Sequence, residues 1–119
     1  MVFGIYNILE ERHKILILKA SKLCEILFVA VSSDEEVQTL FGKPSELKLE
    51  QRKSNVLHFL QESSIDAKII GEPNLSPMDV CVKHPPNSYI LSESQYERFG
   101  KELKNIIEKN KIDAVIEIV

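Results

Sequence analysis

Five short apolar runs, Val2–Tyr6, Ile26–Val31, Ala67–Ile70, Tyr89–Leu91 and Ala114–Val119, constrain this chain more than any other feature of it. Most are nearly unbroken, which is how strands read when both faces are covered, and helix-like stretches stand between most of them. That alternation points to a parallel sheet with helices on both sides. Arg12–Leu23 has Ile15, Leu16, Leu18, Ala20 and Leu23 on one broad stripe. Leu47–Gln61 offers Val56, Leu57, Phe59 and Leu60 as an inward face, and Gln95–Asn110 offers Phe99, Leu103, Ile106 and Ile107. Ser32, Ser33 and Asp34 supply caps for a short helix beginning near Glu35, which Gly42-Lys43-Pro44 ends. Residues Gly71–Asn87 hold four of the five prolines and read as loop, with one helical turn at Met78–Val82.

With 119 residues, 44% of them hydrophobic, the chain suits one domain around one core. Right-handed crossovers leave few arrangements for such a pattern. The expectation is an α/β, Rossmann-like three-layer sandwich with a five-stranded parallel sheet in the order 3-2-1-4-5. Ligands in such sheets bind beyond the carboxyl ends of the strands where the order reverses. That places a site at the turns Ile5–His13 and Ser92–Gln95.

Fifteen basic against eighteen acidic side chains, a net −3, argue against nucleic acid or an anionic membrane as partner. No run approaches the roughly 20 apolar residues of a membrane span, so a cytoplasmic location is expected. Cys24 and Cys81 stand too far apart for a metal knuckle or redox pair, and both are expected inside.

The first turn, Gly4-Ile5-Tyr6-Asn7-Ile8-Leu9-Glu10-Glu11-Arg12-His13, runs straight into a helix. A helix N-terminus presents unpaired N–H groups and about half a positive charge, and can hold a phosphate directly. His13, at that terminus, would aim a donor at the same place; a surface or capping histidine is the competing reading.

From here the sequence resembles the nucleotidyltransferase superfamily marked by Gly-Thr-Phe-Asp near the first strand and His-x-Gly-His at the first helix, most closely its archaeal phosphopantetheine adenylyltransferase branch. Gly4-Ile5-Tyr6-Asn7 stands where Gly-Thr-Phe-Asp would be, and Glu10-Glu11-Arg12-His13 occupies the His-x-Gly-His. Val29-Ala30-Val31-Ser32-Ser33-Asp34 is similar to the second strand and its ending, Lys43 and Arg52 fall into register, and Glu72–Pro77 resembles an acidic segment ending in Gly-Pro. Ile90–Gln95 matches Val-Val-Ser-Pro-Glu-Thr, and the remainder aligns to Val119.

The resemblance implies transfer of a nucleotidyl group from ATP, or another nucleotide, to a phosphorylated small-molecule acceptor with release of pyrophosphate, as in coenzyme A biosynthesis. By position, Gly4, Ile5, Tyr6, Glu10, Arg12, His13, Ser92, Ser94 and Gln95 would surround nucleotide and phosphates. His13 and Lys43 would be catalytic, His13 serving the triphosphate and Lys43 the transferred phosphoryl group. Ile5, Lys43 and Arg52 would meet the acceptor, and Mg²⁺ would travel with the nucleotide. Competing readings stand beside these: Lys43 as a solvated loop lysine, Arg52 as a partner for Glu62 or another surface carboxylate, Ser92 as a helix cap, the last expected in any case.

The pattern departs from the family at the phosphate site. Glu10 replaces a histidine donor with an anion that would repel a phosphate by about 1–4 kcal/mol at close range. Arg12 replaces a glycine that lets backbone approach the nucleotide. Two roles are open for it: pairing with Glu10 and filling the pocket, or contacting phosphate. A catalytically degenerate member of the fold, acting as a nucleotide-binding or protein-interaction module, is therefore the second reading. A homo-oligomer is expected by analogy with the family.

Overall fold

The computed structural model describes the backbone of residues 1–119 and every side chain except those of Pro77 and Met78. Strand β1 (Val2–Gly4) leads through a loop to α1 (Glu11–Leu23), then β2 (Leu27–Val31), α2 (Asp34–Phe41), α3 (Leu49–Glu62) and β3 (Ala67–Ile70). The second part follows as α4 (Pro77–Lys83), β4 (Ser88–Leu91), α5 (Glu93–Lys109) and β5 (Val115–Ile118). Each anticipated strand and helix is present. The first strand is shorter than its apolar run because Tyr6 takes φ 59°, which turns the chain out of the sheet after Gly4.

Local chemistry fixes the helix ends. Ser33 accepts from the Glu36 N–H at the start of α2, and Gly42, at φ 69°, closes that helix by donating to the Gln38 carbonyl. Ser92 begins α5 with a reciprocal cap, its hydroxyl accepting from Gln95 N–H while Gln95 Oε1 accepts from Ser92 N–H.

One apolar cluster lies between the sheet and α1 and α3, built on Val2, Tyr6, Ile17, Ala20, Val29 and Val56. A second, with Phe3, Val80, Cys81, Tyr89 and Leu103 at its centre, lies on the opposite face under α4 and α5. The layers are thus helix, sheet, helix. The inward stripe of α1 is Leu16, Ile17 and Ala20; Ile15, Leu18 and Leu23 are 43%, 39% and 52% exposed, so the expected stripe is rotated. Leu57, expected inward, is likewise exposed. Cys81 is buried as anticipated, whereas Cys24 is only half-buried.

The sheet differs from expectation. β1, β2 and β3 form a parallel three-stranded sheet in the order β1-β2-β3, and β4 and β5 form a separate parallel pair. The single five-stranded sheet in the order 3-2-1-4-5 is not what forms. β1 and β4 meet at one rung only, where Met1 N donates to Ser88 O (2.7 Å) and Ile90 N to Met1 O (2.9 Å). At the next rung the Gln95 carboxamide intervenes: its Nε2 donates to Phe3 O (3.0 Å) and its Oε1 accepts from Ser92 N (3.2 Å). Two backbone groups that would otherwise pair with each other are satisfied by a side chain, and the sheets part.

β5 is an outer strand. It pairs only with β4, and Val115, Ile118 and Val119 are 59%, 48% and 36% exposed.

Candidate functional site

The corner where β1 hands over to α1 is shaped by Tyr6. Its left-handed backbone carries the side chain back over Gly4, where the ring is buried and a Cβ on Gly4 would lie 2.4 Å from Tyr6 Cζ. Only glycine fits beneath that ring. Burial pushes the Tyr6 phenol well above its ordinary range, so it stays a neutral hydroxyl.

His13 packs edge-on against the Tyr6 ring, with centroids 5.5 Å apart. It occupies the third position of α1, and its Nδ1 accepts from the Glu10 N–H at 3.1 Å. The Glu10 carbonyl in turn accepts from His13 N and Lys14 N, closing the first turn. Because Nδ1 is an acceptor, the ring proton sits on Nε2. Burial and then the nearby Arg12 charge hold the His13 pKa below its usual value, while Glu10 and the Ile8 backbone act the other way. At neutral pH the group is an uncharged imidazole with an N–H to donate. The capping reading and the donor reading of His13 are thus compatible, since they use different nitrogens.

Of the two roles open to Arg12, pairing with Glu10 is the one observed: Nη2 lies 3.4 Å from Glu10 Oε1, with both side chains largely exposed. Such a pair contributes little stability, on the order of 0–1 kcal/mol, but it offsets the carboxylate charge at the helix start.

Arg52 is drawn inside, completely buried. Nε donates to Leu47 O (3.1 Å), Nη1 to Ile5 O (2.9 Å) and Ser32 O (2.6 Å), and Nη2 pairs with Asp34 Oδ1 (2.8 Å). Its partner is Asp34; Glu62, the other candidate, pairs with His58 at 2.8 Å. Four of the five guanidinium donors are thereby engaged within the protein. The side chain ties the carboxyl ends of β1 and β2 to the starts of α2 and α3, and it fixes the carbonyl of Ile5. Partial burial raises the Asp34 pKa, but the Arg52 hydrogen bond, the Leu49 N–H and the Arg52 and Lys48 charges outweigh it, so the net shift is downward.

Ser45 completes this corner, its hydroxyl 2.9 Å from Asn7 Oδ1 and 2.5 Å from Leu47 O. Lys43 stands on the exposed loop after α2, and Ser94 is exposed in the first turn of α5. Gly4, Ile5, Tyr6, Glu10, Arg12 and His13 therefore cluster at one corner, Ser92 and Gln95 stand across the rung from Phe3, and Arg52 lies beneath. Among the described residues, no group of three or more His, Cys, Asp or Glu side chains could hold a metal ion. No helix among them is long and apolar enough to cross a membrane.

An open groove of about 340 Å³ lies beside the corner, lined by Asn7, Leu9, Lys14, His58, Phe59 and Glu62 among others. It shares Asn7, Ile8 and Leu9 with the predicted turn but faces α1 and α3.

Parallel strands covered by helices, with α1 starting just beyond the carboxyl end of β1 and α5 just beyond that of β4, are the arrangement of an α/β domain. The cytidylyltransferase-like family profile matches residues 1–118. The chain belongs to this family. Among solved structures, a lipopolysaccharide core biosynthesis protein from Thermoplasma volcanium GSS1 superimposes with a TM-score of 0.80 at 23% identity, covering 100% of this chain and 93% of that one. A protein of unknown function from Archaeoglobus fulgidus gives 0.79 at 23% identity, covering 99% and 86%. At that identity the likenesses speak for the fold alone. No curated protein matches the sequence. Membership of the cytidylyltransferase-like family supports the nucleotidyltransferase reading of the sequence at the level of the superfamily.

Two residues named from the sequence make internal bonds that were not anticipated. Arg52 sits on the inward stripe of α3, three residues after Leu49 and four before Val56, a spacing that marks it as buried. Gln95 was expected beside the phosphates with Ser92 as the cap; its own bond to Ser92 N–H completes that cap, and its bond to Phe3 O leaves no local signature.

Proposed function

We propose that the chain is a nucleotidyltransferase that moves the adenylyl group of ATP to a phosphorylated small-molecule acceptor, with a phosphopantetheine-type phosphate as the leading acceptor class. An oxygen of the acceptor phosphate attacks the α-phosphorus of ATP. The new P–O bond forms as the bond to the bridging oxygen breaks, and pyrophosphate leaves. The protein's task is to align the two phosphates and stabilise the charge that moves onto the leaving group. The observation that carries this reading is His13: a neutral imidazole anchored through Nδ1 at the start of α1, with its proton on Nε2.

In this reading His13 donates to the triphosphate beside the free N–H groups of the first turn of α1. Ser94 and the start of α5 take a second set of phosphate oxygens. Lys43, on its exposed loop, swings toward the acceptor phosphate, and Arg52 acts by holding the Ile5 carbonyl in place. Charge neutralisation on the phosphates would come from Mg²⁺ carried by the nucleotide, with no residue of the chain assigned to hold it.

One observation favours a second reading, a nucleotide-binding or interaction module without catalysis: the carboxylate of Glu10 stands at the helix start, its charge only partly offset by Arg12. Calorimetric titration with ATP and CTP, with and without Mg²⁺, followed by a pyrophosphate-release assay with phosphorylated acceptors, decides between them. The enzyme reading requires ATP binding that weakens in His13→Ala and tightens in Glu10→His, together with pyrophosphate release. Nucleotide binding without release leaves the module, and no binding of either nucleotide at millimolar concentration removes both nucleotide readings.

A further inference from the structure

We propose that Gln95 is a positioning residue that sets the width of the cleft between the carboxyl ends of β1 and β4, because its carboxamide spans from Ser92 N–H to Phe3 O where those two groups would otherwise bond each other.

The register makes the wedge explicit. Met1 N donates to Ser88 O and Ile90 N donates to Met1 O, which is one complete rung of a parallel ladder with Met1 opposite Tyr89. Two residues on, the ladder calls for Ser92 N to donate to Phe3 O. The Gln95 carboxamide is planar and carries a donor and an acceptor side by side, as a peptide group does, so it satisfies both and leaves neither orphaned. Its orientation is fixed by its neighbours: an N–H requires the oxygen, and a carbonyl requires the nitrogen.

A helix cap alone needs only the bond from Ser92 N–H to Oε1. The bond from Nε2 to Phe3 O crosses between the two sheets and does nothing for α5. It holds the strands apart at the level where β1 turns toward α1 and β4 gives way to α5. The two helix starts therefore ride on separate sheets, with their separation defined by one side chain. The role in ligand binding rests on the nucleotide reading above; the effect on cleft width does not.

The test is a crystal structure of unliganded Gln95→Ala beside the wild type, with ATP titration of both. In the variant, Ser92 N and Phe3 O are expected to close to a direct bond of about 3 Å, and ATP affinity is expected to fall at least tenfold. A gap of unchanged width filled by water would overturn the proposal. So would closure with unchanged ATP affinity, since the wedge would then position nothing the ligand uses. If the wild type binds no ATP, the nucleotide reading fails and takes the ligand role with it; closure of the gap would still support Gln95 as the spacer. Should the alanine variant not fold, Gln95→Asn, one methylene too short to reach both partners, serves the same comparison.

Discussion

Replacing Arg52 with methionine keeps most of the buried volume and removes every donor. The carbonyls of Ile5 and Ser32 then lose their bonds to the guanidinium, Leu47 O keeps only the Ser45 hydroxyl, and Asp34 loses its counter-ion. An orphaned buried acceptor costs about 1–3 kcal/mol. The full sum does not apply: Asp34, 39% exposed, can be rehydrated, and burying methionine avoids the desolvation cost of a guanidinium. The net expectation is a loss of about 2–4 kcal/mol. In urea unfolding, with a slope of about 2 kcal/mol/M, the midpoint should fall by about 1–2 M at unchanged slope. The pH dependence supplies an independent check. The folded pKa of Asp34 is depressed, so its contribution is full above the ordinary carboxylate pKa and is lost as pH falls through the lower folded value, that is, below about pH 4. That portion of the acid sensitivity should vanish in Arg52→Met. A midpoint indistinguishable from that of the wild type would refute the account of Arg52 as the tie between the strand ends.

Two further outcomes follow from the first turn. Gly4→Ala forces the Tyr6 ring out of its seat and should cost about 1–3 kcal/mol by overpacking, read as a lowered melting temperature; an unchanged melt would mean the ring is free to move. The His13 imidazole should titrate by NMR below the ordinary histidine value. Because its folded pKa is depressed, the associated stability is present above about pH 6.5 and is lost as pH falls toward the folded pKa; a midpoint above 6.5 would contradict the burial described for it.

Periodicity and turn chemistry made much of the architecture legible. Four of the five strands fall within their apolar runs and β4 begins one residue ahead of its run, at Ser88, while Ser33, Gly42 and Ser92 marked helix ends through local bonding that needs no tertiary context. Long-range geometry was not legible. Nothing in the order of residues indicates that Tyr6 turns left-handed and folds onto Gly4, because that conformation is set by the core that receives the ring. The exposed Ile15 and Leu18 show a related limit: α1 carries apolar residues on more than one face, and only docking against β1 and β2 selects which face is buried. The division of the sheet depends on a contact between residues 92 positions apart in the chain, Gln95 and Phe3. A pattern read in short windows contains no trace of it. At the candidate site, the sequence placed His13 and Ser92 at the helix starts where they are found, while Arg52, read as meeting the acceptor or a surface carboxylate, lies inside, although its spacing from Leu49 and Val56 puts it on the buried stripe.

The outer strand β5 bears on how the protein behaves in concentrated solution. Its far side offers a rail of unclaimed amide and carbonyl groups, flanked by bare valine and isoleucine, and such a rail invites another extended segment to zip onto it. Glu117, exposed mid-strand, is the lone charge set against that tendency within Val115–Ile118. The guard against such zipping along Val115–Ile118 is accordingly a single carboxylate.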